Sequence, residues 1–410
     1  MVLHPPQAGE HVRKGHGRRP SERRGAIMRL TIMRLAAMLI SAALCLTGCG
    51  NSRDIQSLAY ATAIAMDYKN GKYVGYIQVL NFSNVARTEN VELGKPVPIW
   101  IGKGDGETIP GALFETNATA QAPVFWGHVR TVILSENIMK RGVKDFFEVL
   151  NRHREARYNF LVYGTREKIE DILVQKSMFN LSPLDTMMFT AVQMNTQKSF
   201  ILPMTSREVW SYMNEPGNIG MIPEISIDHK LWLEDRRPKS MFMINGAYFF
   251  KDYAMTARMR MDDLKGIRWR NPKLDLTPVK IPYRGKATGV LMLSHPKFVM
   301  KISEVGGEPL YDVAVECSGY VVDMNANLSI RAMEEQAEEV IKEEIMATHM
   351  KSVAMKTDPY HFQLELYRRH PGQYMKLLGK SDYFLNEKSI RSIRVHVHLD
   401  STQKSKGRSL

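Results

Sequence analysis

The sequence predicts an α+β body of several subdomains, with mixed sheets flanked by helices, set behind a cleaved signal peptide. Three observations lead there. Strand-like and helix-like periods alternate over 129–174, which favours a crossover unit with part of its sheet parallel. Four prolines, at 203, 216, 223 and 238, punctuate a stretch with few long periodic runs. Beyond it, an alternating strand at 311–323 precedes a long amphipathic helix at 329–351. A chain of 410 residues exceeds what one core usually serves, so two or three domains are expected. The expected boundaries are a leader at 1–48, an N-terminal α/β-type domain at 49–200, a linker or small middle subdomain at 201–240, a C-terminal α+β domain at 241–400 and a disordered tail at 401–410.

The leader explains much of the charge. Of the formal +13, the first 49 residues carry +6. Basic residues in the remainder are interleaved with acids, so the surplus reads as a solvated surface with at most a weak pull on anionic lipid headgroups or wall polymers. It is not a nucleic-acid footprint. From Met28 the chain reads basic Arg29 and Arg34, an apolar run over 35–46, then Thr47-Gly48 before Cys49. That run is too short for a span, which needs about 20 residues. Leu46-Thr47-Gly48-Cys49 is a lipobox: a branched apolar residue, two small ones that fit the peptidase cleft, and the thiol that receives the lipid. Cys45, with Leu44 before it, fits poorly. Covalent diacylglycerol and acyl lipid on Cys49 is therefore expected, translation is expected to start at Met28 or Met33, and no other cofactor is implied. Of the three cysteines only Cys317 belongs to the exported body, which can form no internal disulfide.

Along the body, 57–66 and 73–80 read as strands joined at Gly71-Lys72. The glycine-rich stretch 102–106 (GKGDG) reads as a turn before a helix at 108–119; it lacks the Lys-Ser/Thr of a Walker loop. Strands are expected at 129–134 and 158–163, and helices at 138–150, at 165–173 with a cap-like Thr165, and at 184–196. A further helix at 205–213 has Thr205 and Glu208 in capping-box register. A new sheet is expected to begin at 241–250, followed by a short helix near 262–269 and strands at 287–293 and 299–304. In 311–323, Val313, Val315, Cys317 and Val321 share a face, so Cys317 reads as an inert core thiol. The helix at 329–351 starts at the N-cap Ser329 and carries a stripe of Met333, Ala337, Val340, Ile341, Ile345 and Thr348. Its acids lie early and His349 and Lys351 late, which suits the helix dipole. The stretch 360–369, then Pro371 and a strand over 394–399 close the body. His396 and His398 share the outer face of that strand; with Asp400 as the sole neighbouring ligand type, solvated histidines are expected and no metal site.

No nucleophile elbow, His-Glu-x-x-His helix, Cys-x-x-Cys pair or dinucleotide fingerprint occurs, and no carboxylate pair stands out, so no catalytic residue is named. Several stretches carry a resemblance instead. Ser52-Arg53-Asp54-Ile55-Gln56-Ser57-Leu58-Ala59 and Ala63-Ile64-Ala65-Met66-Asp67 follow the lipobox. The segment 104–112 and Phe125-Trp126-Gly127-His128-Val129 through Gly142-Val143 and Phe146 come next. Lys356-Thr357-Asp358-Pro359-Tyr360 and Arg368-Arg369-His370-Pro371 come last. In this order the chain resembles the Ger(x)C lipoproteins, the C subunits of spore-germination nutrient receptors, over about 46–399. It departs from them at Gly50 and Pro359 and in lacking their final tryptophans.

The resemblance implies three α+β subdomains, no catalysis, and assembly with membrane-spanning A and B subunits. The bilayer would be the spore inner membrane, with the body on its outer face and the nutrient germinant met directly or through those partners; nucleic acid is not a partner. Two other readings stand beside this one. A lipid-anchored solute receptor of a transporter predicts a cleft between two lobes, and a cell-wall hydrolase predicts carboxylates clustered in a groove.

Overall fold

The computed structural model describes residues 28–29, 31–41, 58–80, 98–152, 157, 159–190, 200–283, 286–324, 328–381 and 383–400. Contacts divide the chain into two units, Met1–Ile55 and Gln56–Leu410. In the first, residues 31–41 are helical. No helix among the described residues is long and apolar enough to cross a membrane. The tail expected at 401–410 lies outside the described residues.

The second unit opens on a hairpin of β1 (Ala59–Lys69) and β2 (Lys72–Leu80). Asn70 and Gly71 take the positive φ values, 52° and 81°, that a tight two-residue turn needs. β1 is apolar at nearly every position because both its faces are covered. Ala61, Ile64 and Met66 enter one core and Ala63 and Ala65 the other, with a bulge between Ala61 and Ala63. β3 (Trp100–Gly106) lies antiparallel to β2, so the expected turn at 102–106 is a strand. The reason is the spacing of its glycines. Gly102, Gly104 and Gly106 share one face, and a Cβ on Gly104 or Gly106 would come within 2.5 or 2.8 Å of the Ala112 backbone. The bare face lets α1 (Ile109–Phe114) lie directly on the strand.

β4 (Val124–Phe125) and β5 (Thr131–Ser135) follow, and β5 runs parallel to β1. The single helix expected at 138–150 is two, α2 (Glu136–Arg141) and α3 (Lys144–Arg152), broken where Gly142 takes φ 120°. β6 (Leu161–Thr165) pairs parallel with β5, which is the expected crossover. Thr165 does not cap a helix; it ends β6 and donates to the Ile225 carbonyl at 2.9 Å, and α4 (Ile169–Leu173) starts four residues later. Of the helix expected at 184–196, the described part holds a 3-10 turn at Pro183–Asp185.

The stretch 201–240 is not a linker. It contains β7 (Met204–Thr205), α5 (Ser206–Asn214) and β8 (Gly220–Glu234), and β8 pairs along its length with β9 (Arg237–Lys251), which is flanked by β10 (Ala254–Arg260). No sheet begins at 241 either: these strands extend the first one, in the order β10-β9-β8-β6-β5-β1-β2-β3, with β4 on β1 and β7 on β6. Three of the four prolines mark element ends, Pro203 before β7, Pro216 after α5 and Pro238 beside the β8–β9 turn, while Pro223 lies within β8 opposite Ala247. The capping box forms as expected: Glu208 N–H donates to Thr205 Oγ1 at 3.3 Å and Thr205 N–H to Glu208 Oε2 at 2.8 Å. Thr205→Ala is expected to cost about 1 kcal/mol, read as a drop in melting temperature.

A 3-10 segment at Asp262–Arg270 leads to the second sheet, whose order is β11 (Thr277–Tyr283), β12 (Lys286–Val305), β13 (Glu308–Met324), β14 (Ile390–Leu399). The two strands expected at 287–293 and 299–304 are the single β12, irregular between Ser294 and Lys297, where His295 takes φ 49°. α6 (Ile330–Ala354) covers one face from Ser329, whose hydroxyl accepts from Ala332 N–H. Met333, Ala337, Ile341 and Ile345 pack on Val313, Val315 and Cys317 in one core, and burial pushes the Cys317 thiol up to about 12. Glu334 and Glu338 of α6 accept from the N–H groups of Leu399 (2.9 Å) and Val397 (3.1 Å), satisfying a β14 edge that would otherwise be open. α7 (Phe362–Arg369) and α8 (Pro371–Leu378) precede β14. The architecture is α+β, two mixed sheets with helices on their faces.

Candidate functional site

Cys49 lies outside the described residues. His396 and His398 are exposed on β14, with Nδ1 atoms 3.6 Å and 4.0 Å from Glu338 and Glu334, carboxylates already engaged by the strand backbone. Among the described residues no group of three or more His, Cys, Asp or Glu is arranged to hold a metal ion. His349, expected near the end of the helix as a partner for its dipole, is fully buried; Nε2 meets the Asn386 carbonyl at 2.9 Å, which can only accept, so Nε2 carries the proton. Burial lowers its pKa, and the ring serves the core as a neutral donor.

The family-like stretches gather at two places. At the C-terminal end of β1, Asp67 is buried, paired with Lys69 at 2.7 Å, and it accepts from Tyr68 N–H (2.8 Å), Asn137 Nδ2 (3.3 Å) and the Ser135 hydroxyl. Burial opposes its charge, but these partners prevail and hold the carboxyl below the usual carboxylate range. Since Ser135 also caps α2, accepting from Ile138 N–H, Asp67 locks the β1 and β5 ends to the start of that helix. At the other end of β1, the His128 ring packs edge-on against Tyr60 (5.1 Å) and Phe125 (5.6 Å), and burial with Arg157 and Arg130 nearby pushes its pKa down. Beside it an apolar cavity of about 20 Å³ lies between Ile64, Leu113, Phe114, Trp126 and Leu150, room for about one water.

The second cluster lies where the two sheets meet, and it is the strongest candidate for a functional site. Asp358 is buried at the start of α7; one carboxylate oxygen accepts from Gln363 N–H at 2.8 Å, while Oδ1 has no hydrogen-bond partner. Burial pushes its pKa up to about 6, with the α7 amides and Arg270 pulling the other way. His361, held at φ 54°, places Nδ1 2.8 Å from Asn218 Oδ1 in the loop between α5 and β8, and its ring lies 5.3 Å from that of Tyr212. The residue is half-buried, and desolvation, Arg270 and Arg368 all depress its pKa, so it is neutral at pH 7. Arg368 donates twice to Glu215, at 2.7 and 2.8 Å. Glu365 stands between Arg270 (3.7 Å) and Arg369 (3.2 Å), and Arg369 also reaches the Met300 carbonyl of β12 at 3.0 Å.

This cluster ties the first sheet to the second through α7, with one buried carboxylate whose protonation changes just below neutral pH. It is a joint between the two sheets. Sequence reasoning singled out Asp358 and Arg368 by resemblance alone. It missed Asn218, Glu215 and His361, whose partners stand 143 to 153 positions away in the chain, a separation that carries no local signal.

Residues 51–227 match the family described as "Spore germination protein N-terminal domain" and residues 245–407 the one described as "Spore germination B3/ GerAC like, C-terminal". Spore germination protein KC of Bacillus subtilis (strain 168) is 23% identical over 355 residues, which cover 82% of this chain and 87% of that protein. Among solved structures, the crystal structure of the GerBC protein is similar at TM-score 0.49 and 14% identity, over 85% of this chain and 100% of that one.

Proposed function

This chain belongs to the GerAC-like family of spore germination proteins, and on that premise we propose that it is the lipid-anchored, non-catalytic C subunit of a nutrient germinant receptor. Diacylglycerol on Cys49 holds the body on the outer face of the spore inner membrane. Membrane-spanning A and B subunits dock on the folded faces, and the body helps relay nutrient binding, met directly or through those partners, to germination. The observation that carries this reading is where the family match begins: residue 51, two positions after the lipobox cysteine, so that the leader falls outside the family domains. Two acyl chains supply about 0.8 kcal/mol per buried methylene, more than stable anchoring requires. Tethering also raises the local concentration of the body, so modest interface affinity suffices.

The test compares spores of wild type, a deletion of this chain and Cys49→Ala, in a strain lacking other receptors of the family. Each is exposed to a nutrient panel and to a trigger that bypasses nutrient receptors. The deletion is expected to abolish the response to one nutrient class with the bypass response intact, and Cys49→Ala to reduce it at least tenfold. A deletion that responds to every nutrient as wild type does would refute the reading. A fully responsive Cys49→Ala would refute the anchor alone.

A further inference from the structure

The β8–β9 hairpin runs well past the sheet that it belongs to. β10 stops pairing with β9 at Gly246, and β6 meets β8 only at Glu224. Beyond these points the hairpin is a two-stranded ribbon. Its root is buried through Ser226, and Gln175 Nε2 pins it by donating to the Ser240 carbonyl at 2.5 Å. From 229 to 238 every residue is exposed. The turn is Asp235-Arg236, both at positive φ, and the Glu234–Lys239 ion pair (2.5 Å) closes the ribbon beside it.

A ribbon of this kind should carry polar side chains, since its open edges invite aggregation. This one carries Leu231, Trp232 and Leu233, exposed by 75%, 52% and 65%. Asp228 accepts from the Lys230 and Leu231 N–H groups, which shapes the backbone just before the triplet. Around it stand Lys230, Arg236 and Arg237, none of which makes an ion pair among the described residues. An exposed apolar cluster rimmed by charge marks an interaction site. Two candidates for the occupant differ in area. A stable protein interface buries about 800 Å² and 20–30 residues on each side, far more than a ten-residue tip offers. A tryptophan between leucines with arginines beside it matches instead the headgroup layer of a bilayer, where indole rings settle and anionic lipids attract basic side chains.

We propose that the tip of the β8–β9 hairpin inserts Leu231, Trp232 and Leu233 into the interface of an anionic bilayer, with Lys230, Arg236 and Arg237 on the lipid phosphates. The contact is separate from any lipid on Cys49; where both operate, the second fixes how the body is oriented on the membrane. The test uses the Gln56–Leu410 body, a contact unit of its own that holds both sheets and the four hydrophobic clusters found among the described residues, so the result does not depend on the anchor.

Sedimentation is measured with vesicles of equal parts phosphatidylglycerol and phosphatidylcholine, and with phosphatidylcholine alone. The body is expected to bind the anionic vesicles at least tenfold more tightly. Replacing Leu231, Trp232 and Leu233 together by Ser should weaken that binding at least tenfold without changing the melting temperature. Arg236→Ser with Arg237→Ser should weaken it severalfold and flatten its salt dependence. Val305→Ser with Val322→Ser, equally exposed apolar positions elsewhere, should bind as wild type does. A wild-type body that ignores anionic vesicles, or a triple variant that binds them undiminished, overturns the proposal. If the triple variant keeps vesicle binding but its spores lose nutrient response, the tip docks on protein, which overturns it as well.

Discussion

Glu344→Ala is expected to destabilise the body by about 3–5 kcal/mol, the cost of leaving a buried charge without its partner. Glu344, on α6, takes two charge-assisted bonds from Arg268, Nε to Oε2 at 3.0 Å and Nη2 to Oε1 at 2.5 Å, and a third from the Trp269 indole N–H at 2.8 Å. Arg268 Nη1 meanwhile donates to Thr277 Oγ1 (2.9 Å) and to the Pro278 carbonyl (3.1 Å) at the start of β11. One ion pair thus fastens the 3-10 segment, the long helix and the second sheet together, with both side chains largely buried. Nearby the backbone of that segment touches the helix. A Cβ on Gly266 would fall 2.5 Å from the Glu344 carbonyl and 2.1 Å from the Tyr360 hydroxyl, so the partners have no room to rearrange. Removing Glu344 therefore strands a guanidinium and an indole N–H at once. Replacing both partners, Arg268→Met with Glu344→Leu, should recover most of the loss, because a buried pair is about as stable as an apolar pair of similar volume. Urea unfolding of the two single variants and the double variant measures the coupling. A single variant within about 1 kcal/mol of wild type would show that the clamp is not stabilising.

That clamp marks the limit of what the sequence discloses. Elements whose signal is local were legible. The β1–β2 hairpin, though its turn falls at Asn70-Gly71, one residue before the expected Gly71-Lys72, the Thr205/Glu208 capping box, the Ser329 cap with its α6 stripe and the buried side of β13 with Cys317 all follow from spacing within a few residues. The failures share a cause. Gly102, Gly104 and Gly106 recur at the strand period, but glycine is also a turn signal, and only the approach of α1 decides between the two. Prolines 203 to 238 suggested a linker or small middle subdomain because nothing local reveals that β8 is completed by β9 and by the edge of β6. The joint at Asp358 was visible only as a resemblance. Its partners come from the α5–β8 loop and the 3-10 segment, brought together by tertiary packing that no period encodes.

At that joint, Asp358→Asn is expected to make the body more stable at pH 8, by about 1–3 kcal/mol. The folded pKa of Asp358, about 6, lies above the usual value of 3.8 for an aspartate. Between these values the folded state keeps a proton that the unfolded chain has shed, so this group's contribution to stability is greatest below about pH 4 and is lost as pH rises through 6. The full shift corresponds to about 3 kcal/mol, and the asparagine forgoes part of that gain by losing the attraction of Arg270. Its side-chain carbonyl can still accept from Gln363 N–H, so the cap on α7 survives.

His361 works in the opposite sense. Its folded pKa is lowered, so it favours the folded state above its unfolded value near 6.5 and loses that contribution as pH falls. The two slopes oppose each other between about pH 4 and 6, which leaves the wild-type joint insensitive to pH there. Asp358→Asn should unmask a stability that climbs with pH, and His361→Gln one that falls. Urea unfolding of both variants between pH 4 and 8, taken as differences from wild type, reads the two slopes. Difference curves that are flat, or that share a sign, would refute these protonation states. Opposite slopes would mean that a carboxylate costly to stability is kept where the two sheets join. Such a cost is expected where a buried charge fixes how the two sheets are held together.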